Sequence, residues 1–191
     1  MLKVIYKHRK KPHLFSTLIY PNPFLESIAA PVELPVREFE VEVLARMKEV
    51  MSETDGKKTR LVAVGLAAPQ IGVGSRMFLY CPCGPGRDLI KKVNTSLIAV
   101  FNPEILSHGK QEVILPEGCV SDPGFYAPVK RYQIIEVRYF DRYGEPVYRK
   151  LTGWEARVFQ HEVDHLNGIL CRFRHLELTA HCPASKSQSP R

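Results

Sequence analysis

The stretch Thr152-Gly-Trp-Glu-Ala-Arg-Val-Phe-Gln-His-Glu-Val-Asp-His-Leu-Asn-Gly168 decides the fold of this chain. Thr152 and Glu155 have the spacing of a capping box, which begins a helix, and Gly168 is the residue type that most often ends one. Apolar residues run through and beyond this stretch, so we expect the helix to be central to the protein and to pack against β-strands.

Two histidines and a glutamate lie on this helix. Residues i and i+4 share a helix face, so the imidazoles of His161 and His165 can reach one metal ion. Glu162 follows His161 and is close enough to take a proton from a water molecule at the metal without ligating it. Such groups are costly in an apolar setting unless they have a partner. The sequence therefore indicates a metal site that needs a third protein ligand.

Two cysteines are candidates for that ligand. Cys171 completes His-Glu-x-x-His-x-x-Gly-x-x-Cys, which imitates the metzincin protease pattern with Cys in place of its last His. A metalloprotease of that type also needs a methionine turn after the helix. All four methionines lie at or before Met77, however, and only 26 residues follow His165. The other candidate is Cys119 in Glu117-Gly-Cys-Val-Ser121, because a thiolate binds Zn²⁺ or Fe²⁺ well.

A third segment, Gly65-Leu-Ala-Ala-Pro-Gln-Ile-Gly72, has small residues that allow backbone to pack closely beside a site. In this order and spacing, the three segments resemble those of the peptide deformylase family. The family motifs are Gly-x-Gly-x-Ala-Ala-x-Gln, Glu-Gly-Cys-x-Ser and Gln-His-Glu-x-x-His. The resemblance runs from about Leu18 to about Phe173. The stretches 141–146 and 153–161 are most similar to the organellar branch of the family.

The resemblance implies a metal site and a set of catalytic groups. Cys119, His161 and His165 are the implied ligands of one divalent ion, with Fe²⁺ as the native metal and Zn²⁺ as an ion that purified protein can carry. Glu162 is the implied general base and acid. The Gln70 amide and the Val120 N–H are the implied donors to the oxygen that becomes negative. The residues implied to bind substrate are Val64, Gly65, Glu117, Gly118, Trp154 and Val158.

The implied activity is hydrolysis of the N-formyl group from the initiator methionine of nascent polypeptides, with release of formate. The implied partners are formyl-methionyl nascent chains, near the ribosome. One position departs from the family pattern, because Ala63 stands where the first motif has glycine. That departure keeps an alternative open, in which a non-catalytic relative binds formyl-peptides or retains the metal for structure.

The charge distribution does not indicate a nucleic-acid-binding surface. The chain has 27 basic and 20 acidic residues, but seven of the basic residues lie in 1–25 and 180–191, which contain no acid. The remainder is neutral, and no apolar run is long enough to insert into a membrane. The basic, acid-free start has the composition of an organellar targeting segment. We therefore expect a mitochondrial or other organellar protein, or a cytoplasmic one if the source is bacterial.

The remaining patterns predict one α+β domain with antiparallel strands packed around the metal-binding helix. An earlier helix is predicted from Pro35 to Asp55-Gly56, with Phe39, Val43 and Met47 on one face. We expect a basic arm or targeting segment at 1–17, the catalytic domain at 18–179 and a flexible tail at 180–191. The predicted strands are Leu61–Val64, Arg76–Tyr80, Leu97–Phe101, Glu112–Leu115, Gln133–Phe140 and Pro146–Leu151, the last two joined by a hairpin at Arg142-Tyr-Gly144.

Overall fold

A computed structural model describes residues 17–55, 58–82 and 97–180 of the chain. The helices are α1 (Glu38–Val50), α2 (Gly153–Leu166) and α3 (Cys171–Ala180). The strands are β1 (Ser52–Asp55), β2 (Lys58–Leu61), β3 (Gly65–Ala67), β4 (Met77–Tyr80), β5 (Ile98–His108), β6 (Glu112–Cys119), β7 (Asp122–Tyr132), β8 (Ile134–Phe140) and β9 (Pro146–Thr152). No helix in the described part of the chain combines the length and apolar composition that crossing a bilayer requires.

The strands form one five-stranded sheet and two hairpins, all antiparallel. The sheet has the order β3-β4-β5-β8-β9, while β1 pairs with β2 and β6 pairs with β7. Because β3 is the first strand of the sheet, no strand among the described residues pairs with its outer edge, and such an edge can accept a further strand. The predicted α+β architecture is confirmed.

Helix α2 lies against the five-stranded sheet. Its Phe159 ring packs edge-on against Phe78 and Tyr80 of β4, with centroid separations of 5.0 and 6.0 Å. Ten of its fourteen residues are buried, and several of those are polar or charged, so they must find partners inside the protein. This requirement joins the helix to the β6–β7 hairpin, as described below.

The start of α2 differs from the prediction. Thr152 is the N-cap residue, but its side chain accepts no capping hydrogen bond. The Glu155 carboxylate instead accepts hydrogen bonds from the Tyr80 hydroxyl (2.9 Å) and from the Arg149 guanidinium (2.8 Å). The capping-box prediction is therefore wrong, because contacts with β4 and β9 satisfy Glu155.

The region around α1 also differs. The helix begins at Glu38 and ends at Val50, so the Asp55-Gly56 pair does not end it; Asp55 is the last residue of β1. Val43 and Met47 are buried as expected, but Phe39 is 54% exposed because the first turn of α1 contributes nothing to the core. Strands β2 and β3 stand in place of the predicted 61–64 strand.

Two further elements were missed. The β6–β7 hairpin extends over residues 112–132, whereas only 112–115 was predicted; Pro116, Pro123 and Pro128 lie within its strands. Strands in a two-stranded hairpin have an open edge and tolerate proline there. Helix α3 was not predicted. Its described residues are held by tertiary contacts such as Arg174 to Asp164 of α2.

The predicted hairpin between β8 and β9 is confirmed, with Gly144 N donating to Asp141 O at 3.0 Å. The predicted arm lies outside the described residues except for Thr17. In the predicted 180–191 tail only Ala180 is described, as the last residue of α3. Residues 81–96, rich in Gly, Pro and charged residues, also predict a loop, and of these only residues 81 and 82 are described.

Gly168 ends α2 at a close contact between two backbones. Its φ is +71°, and a Cβ at this position would lie 2.3 Å from the carbonyl oxygen of Glu26. Both features require glycine, since other residues are strained at positive φ and the facing atom belongs to the backbone. The contact holds the N-terminal segment against the end of the metal-binding helix, where Ala29 N also donates to Leu166 O (2.9 Å).

We expect G168A to lower the free energy of unfolding by about 2–4 kcal/mol, combining strain at positive φ with the steric contact. G124A is the matched control, because Gly124 also has a positive φ (+92°) but its Cβ would meet nothing within 4 Å. It should cost about 1–2 kcal/mol. Urea unfolding of the two variants measures the difference, and equal losses would contradict the role of the Glu26 contact.

Candidate metal centre

Three metal-binding side chains meet between α2 and the β6–β7 hairpin. Cys119 is the last residue of β6, while His161 and His165 lie one turn apart on α2. Their ligand atoms all lie within 4.8 Å of one another, and Cys119 Sγ is 3.2 Å from His165 Nε2. In the described ranges this is the single group of three or more His, Cys, Asp or Glu side chains so arranged. The structure thus brings together the three predicted ligands.

The orientation of His161 is set by Glu117. His161 Nδ1 lies 3.0 Å from Glu117 Oε2, which leaves Nε2 for the cluster. A carboxylate that accepts the second N–H of a ligand histidine fixes its tautomer and ring orientation. Glu117 therefore acts on the site through His161.

The donor set fits a catalytic ion such as Zn²⁺ or Fe²⁺. One thiolate and two imidazoles supply three ligands of suitable softness, and a catalytic site leaves a further position for water or substrate. Within the described residues, the buried atom Glu162 Oε2 has no hydrogen-bond partner, as expected of a group that acts on a bound molecule.

Glu162 lies against strand β3. A Cβ added to Gly65 would be 2.1 Å from Glu162 Oε1, so the absence of a side chain at 65 makes room for this carboxylate. Burial raises the pKa of Glu162 to about 7, against an opposing effect of His161. A nearby cation would lower that pKa. A carboxyl group beside a bound water molecule can take up a proton and return it.

Gln70 connects the segment after β3 to the cysteine. Its Oε1 accepts from Ala67 N (2.8 Å), and its Nε2 donates to Ser121 Oγ (3.1 Å) and Cys119 Sγ (3.4 Å). The amide group is 1% exposed and fully oriented by these contacts. Its N–H groups point at the end of the hairpin, where Val120 lies between Cys119 and Ser121.

The Glu117 carboxylate is fully engaged by protein groups. Arg131 donates to both of its oxygens (3.1 and 2.9 Å), and Arg157 donates to Oε1 (2.6 Å). Burial raises the pKa of Glu117, but hydrogen bonds from His161 and Arg131 outweigh it and hold the pKa well below its usual range. Any contact of Glu117 with a substrate must therefore come from the strand backbone.

The extension of this network was not predicted from the sequence. Arg131 also pairs with Asp164 of α2, which binds Arg174 of α3 through two hydrogen bonds (2.7 and 3.0 Å). A signal was present, because Arg131 has the same strand parity as the buried Ala127 and Val129. Recognising β7 as a strand would have revealed a buried arginine that needs acidic partners.

The structure gives the side chains of the implied substrate residues the following places. Val64 and Trp154 are half-buried, Val158 is buried, and all three pack against the same apolar core. Gly118 lies under the Tyr126 ring, where a Cβ would be 3.1 Å from Cδ2. Tyr126 itself is 72% exposed, so it was not foreseen as a neighbour of the site.

Cys171 does not join the ligand group. It is the first residue of α3, it is buried, and burial raises the pKa of its thiol to about 11. Its thiol is not part of the group of ligand atoms that lie within 4.8 Å of one another in the described residues. The metzincin-like arrangement of His161, His165 and Cys171 is therefore not the one that forms.

An α+β fold with a His-Glu-x-x-His helix and a hairpin thiolate defines a class of mononuclear metal-dependent hydrolase. The family model described as "Polypeptide deformylase" matches residues 16–178, and the chain belongs to this family. It is 37% identical to the peptide deformylase of Thermotoga neapolitana over 157 residues, covering 82% of this chain and 84% of the relative. It is 36% identical to that of Mesorhizobium japonicum over 157 residues, covering 80% and 79%.

Solved structures of the family agree with the fold. The crystal structure of peptide deformylase from Thermotoga maritima superimposes with a TM-score of 0.70 at 36% identity, covering 84% of this chain and 96% of that one. Peptide deformylase 1B of Arabidopsis thaliana, solved with an inhibitor, gives a TM-score of 0.66 at 33% identity, covering 83% and 80%. The curated relatives named here are bacterial, so the comparisons support the family and leave its organellar branch as a proposal.

We expect C119S to lower metal affinity by more than about tenfold, since loss of a ligand should exceed the effect of losing a residue that only orients one. C171S is the matched control: it replaces a buried cysteine of the same fold and should retain the metal. Metal content of both proteins after dialysis against a weak chelator measures the difference. Metal loss in C171S with retention in C119S would reverse the ligand assignment.

Proposed function

We propose that this chain hydrolyses the N-formyl group of formyl-methionyl peptides, releasing formate and a free amino terminus. The observation that supports this most directly is the placement of the Glu162 carboxylate. This carboxylate lies beside the Cys/His/His cluster and against Gly65. Gly65 belongs to β3, the edge strand of the sheet. A base beside a metal centre and a strand edge suits hydrolysis of an amide at the end of an extended peptide.

Glu162 transfers the proton in this proposal. A divalent ion held by Cys119, His161 and His165 would act as a Lewis acid and increase the acidity of a water molecule. The Glu162 carboxylate takes a proton from that water molecule as the water oxygen adds to the formyl carbon. The carbon–nitrogen bond then breaks, and Glu162 returns the proton to the departing amine. The water oxygen ends in formate.

Gln70 and Val120 stabilise the charge that develops. When the water oxygen adds, the formyl oxygen becomes negative and needs hydrogen-bond donors. We assign this role to the Gln70 side-chain amide and the Val120 backbone N–H. One such donor is typically worth about 3 kcal/mol of barrier. The contacts of Gln70 with Ala67 and Ser121 hold its amide in place before substrate binds.

In this proposal some of the substrate residues bind the peptide through their backbone and others through their side chains. We assign pairing with the extended peptide to the backbone of Val64 and Gly65 on one side, and of Glu117 and Gly118 on the other. Backbone pairing accepts varied sequences beyond the first residue. The methionine side chain is assigned to the apolar surface made by Val64, Trp154 and Val158, which share one core cluster.

We propose Fe²⁺ as the native metal, with Zn²⁺ as an ion that the purified protein can carry. The partners are nascent chains that begin with formylmethionine, close to the ribosome. The enzyme therefore works where translation starts with formylmethionine, which is the bacterial cytoplasm or an organelle. The basic, acid-free residues 1–25 and the likeness of 141–146 and 153–161 to the organellar branch favour an organelle.

We expect E162Q to retain the metal and to lose turnover by about 10²–10⁴-fold, because the amide keeps the shape of the side chain but cannot accept the proton. The assay is formate release from formyl-Met-Ala by protein prepared without oxygen, with metal content measured on the same sample. E155Q is the control, since Glu155 lies on the same helix but contacts Tyr80 and Arg149.

The same assay separates the rival functions. Wild-type protein that carries metal and binds formyl-Met-Ala without releasing formate would support a binding protein. Cleavage of internal peptide bonds would support a metalloprotease. Full turnover by E162Q would refute the role of Glu162.

Localisation has its own test. Residues 1–25 fused to a fluorescent protein should direct it to mitochondria, because a basic, acid-free segment is drawn toward import. The triple variant R9E/K10E/K11E of the same fusion is the control and should stay in the cytosol. Cytosolic fluorescence from both fusions would contradict an organellar targeting segment.

A further inference from the structure

The turn that carries the cysteine ligand does not have the conformation that best suits a two-residue hairpin. Cys119 pairs with Asp122, so Val120 and Ser121 form the whole connection between β6 and β7. Neither residue has the positive φ that the favoured two-residue turns use. The strand register also shifts between Gly118 and Cys119. The conformation of the turn itself therefore does not set its position, which depends on contacts with other segments of the protein.

Two of those contacts come from segments already described. Gln70 Nε2 donates to Ser121 Oγ (3.1 Å), and the backbone N–H of Tyr20 donates to the Ser121 carbonyl (2.8 Å). Both act on Ser121, on the side of the turn that faces the N-terminal segment. Neither holds the first residue of β7.

The third contact is an ion pair between that residue and α3. Asp122 is 5% exposed, and its two carboxylate oxygens accept from Arg172 Nε (2.6 Å) and Nη2 (3.0 Å). The two-pronged geometry fixes both partners in direction as well as distance. A buried carboxylate depends strongly on such a partner.

Arg172 is itself held by two aromatic rings. Its guanidinium carbon lies 4.3 Å from the ring centroid of Tyr20 and 5.0 Å from that of Phe125. Tyr20 also packs edge-on against Phe173, at a centroid distance of 6.0 Å. Cation–π contacts of this kind orient an arginine that is partly open to water. Asp122, Arg172, Tyr20 and Phe125 therefore form one unit, here called the α3 clamp.

We propose that Arg172 is a positioning residue: through Asp122 it sets the place of the Cys119 thiolate and the Val120 N–H relative to the histidines of α2. The catalytic part of this inference rests on the proposed function. The ligands come from two separate elements, so catalysis depends on how accurately the turn is placed against the helix. Misplacement by about 1 Å can cost about 10²-fold in rate.

The test compares R172M, R172K and D122N with the double variant R172M/D122N. R138M is the matched control, because Arg138 also pairs with a carboxylate, that of Glu104 (2.5 Å), on strands β8 and β5. Each protein is assayed for kcat and KM with formyl-Met-Ala. Each is also loaded with Co²⁺, to record the thiolate-to-cobalt absorption band and the rate of Co²⁺ release to a chelator.

We expect R172M and D122N each to lower kcat by about tenfold or more, with a smaller change in KM, and to alter the cobalt band and speed Co²⁺ release. Because the two residues act as a unit, the double variant should be no worse than the worse single one. R172K should recover part of the loss, since lysine keeps the charge but not the two-pronged geometry. R138M should match the wild type.

Two results would overturn the proposal. One is a lower urea midpoint in R172M and D122N with kcat and the cobalt band unchanged, which would mean a structural role only. The other is multiplication of the single effects in the double variant. If the wild type released no formate while the variants still altered the cobalt band, the proposed function would fail and the placement of Cys119 by Arg172 would stand.

Discussion

The buried carboxylate of Glu117 joins the β6–β7 hairpin to helix α2. It accepts hydrogen bonds from Arg131 of its own hairpin and Arg157 of the helix, and it orients His161. An isolated carboxylate at 7% exposure would be costly, so the arginines are required wherever Glu117 is buried. The interaction that packs hairpin against helix is therefore also the one that orients a metal ligand, and neither can be lost alone.

From this carboxylate a chain of ion pairs continues to α3, with arginines and carboxylates in alternation. Arg131 bridges Glu117 and Asp164, and Asp164 holds Arg174. Removing one member of such a buried set leaves its partner unpaired, which typically costs about 3–5 kcal/mol. Arg157 of α2 belongs to the same buried set, because its guanidinium pairs with Glu117 Oε1 (2.6 Å). Without Arg157, the Glu117 carboxylate would have only Arg131 and His161 among these partners, and Arg131 also pairs with Asp164.

The residues of the candidate site come from two separate elements, helix α2 and the β6–β7 hairpin. Helix α2 supplies two imidazoles and the Glu162 carboxylate, whose relative positions follow from helix geometry. The hairpin supplies the thiolate and the Val120 N–H, whose positions depend on contacts with Gln70, the N-terminal segment and α3. Gly65 adds a condition of space, because any side chain there would meet the Glu162 carboxylate. The relative positions of these groups therefore depend on how the separate segments pack against one another.

The sequence by itself determined the α+β class and the helix that carries His161, Glu162 and His165, and its motifs predicted that Cys119 would lie beside the two histidines. Those features rest on spacing along the chain, on helix periodicity or on motifs whose order is itself informative. Only the tertiary structure decided the extent of the β6–β7 hairpin, the existence of α3, the partners of Glu155 and the burial of Arg131. The physical reason is that prolines in an open-edged hairpin, a short helix and a buried arginine are each unfavourable locally. They become favourable only through partners that lie far away in the chain, and no local pattern identifies those partners.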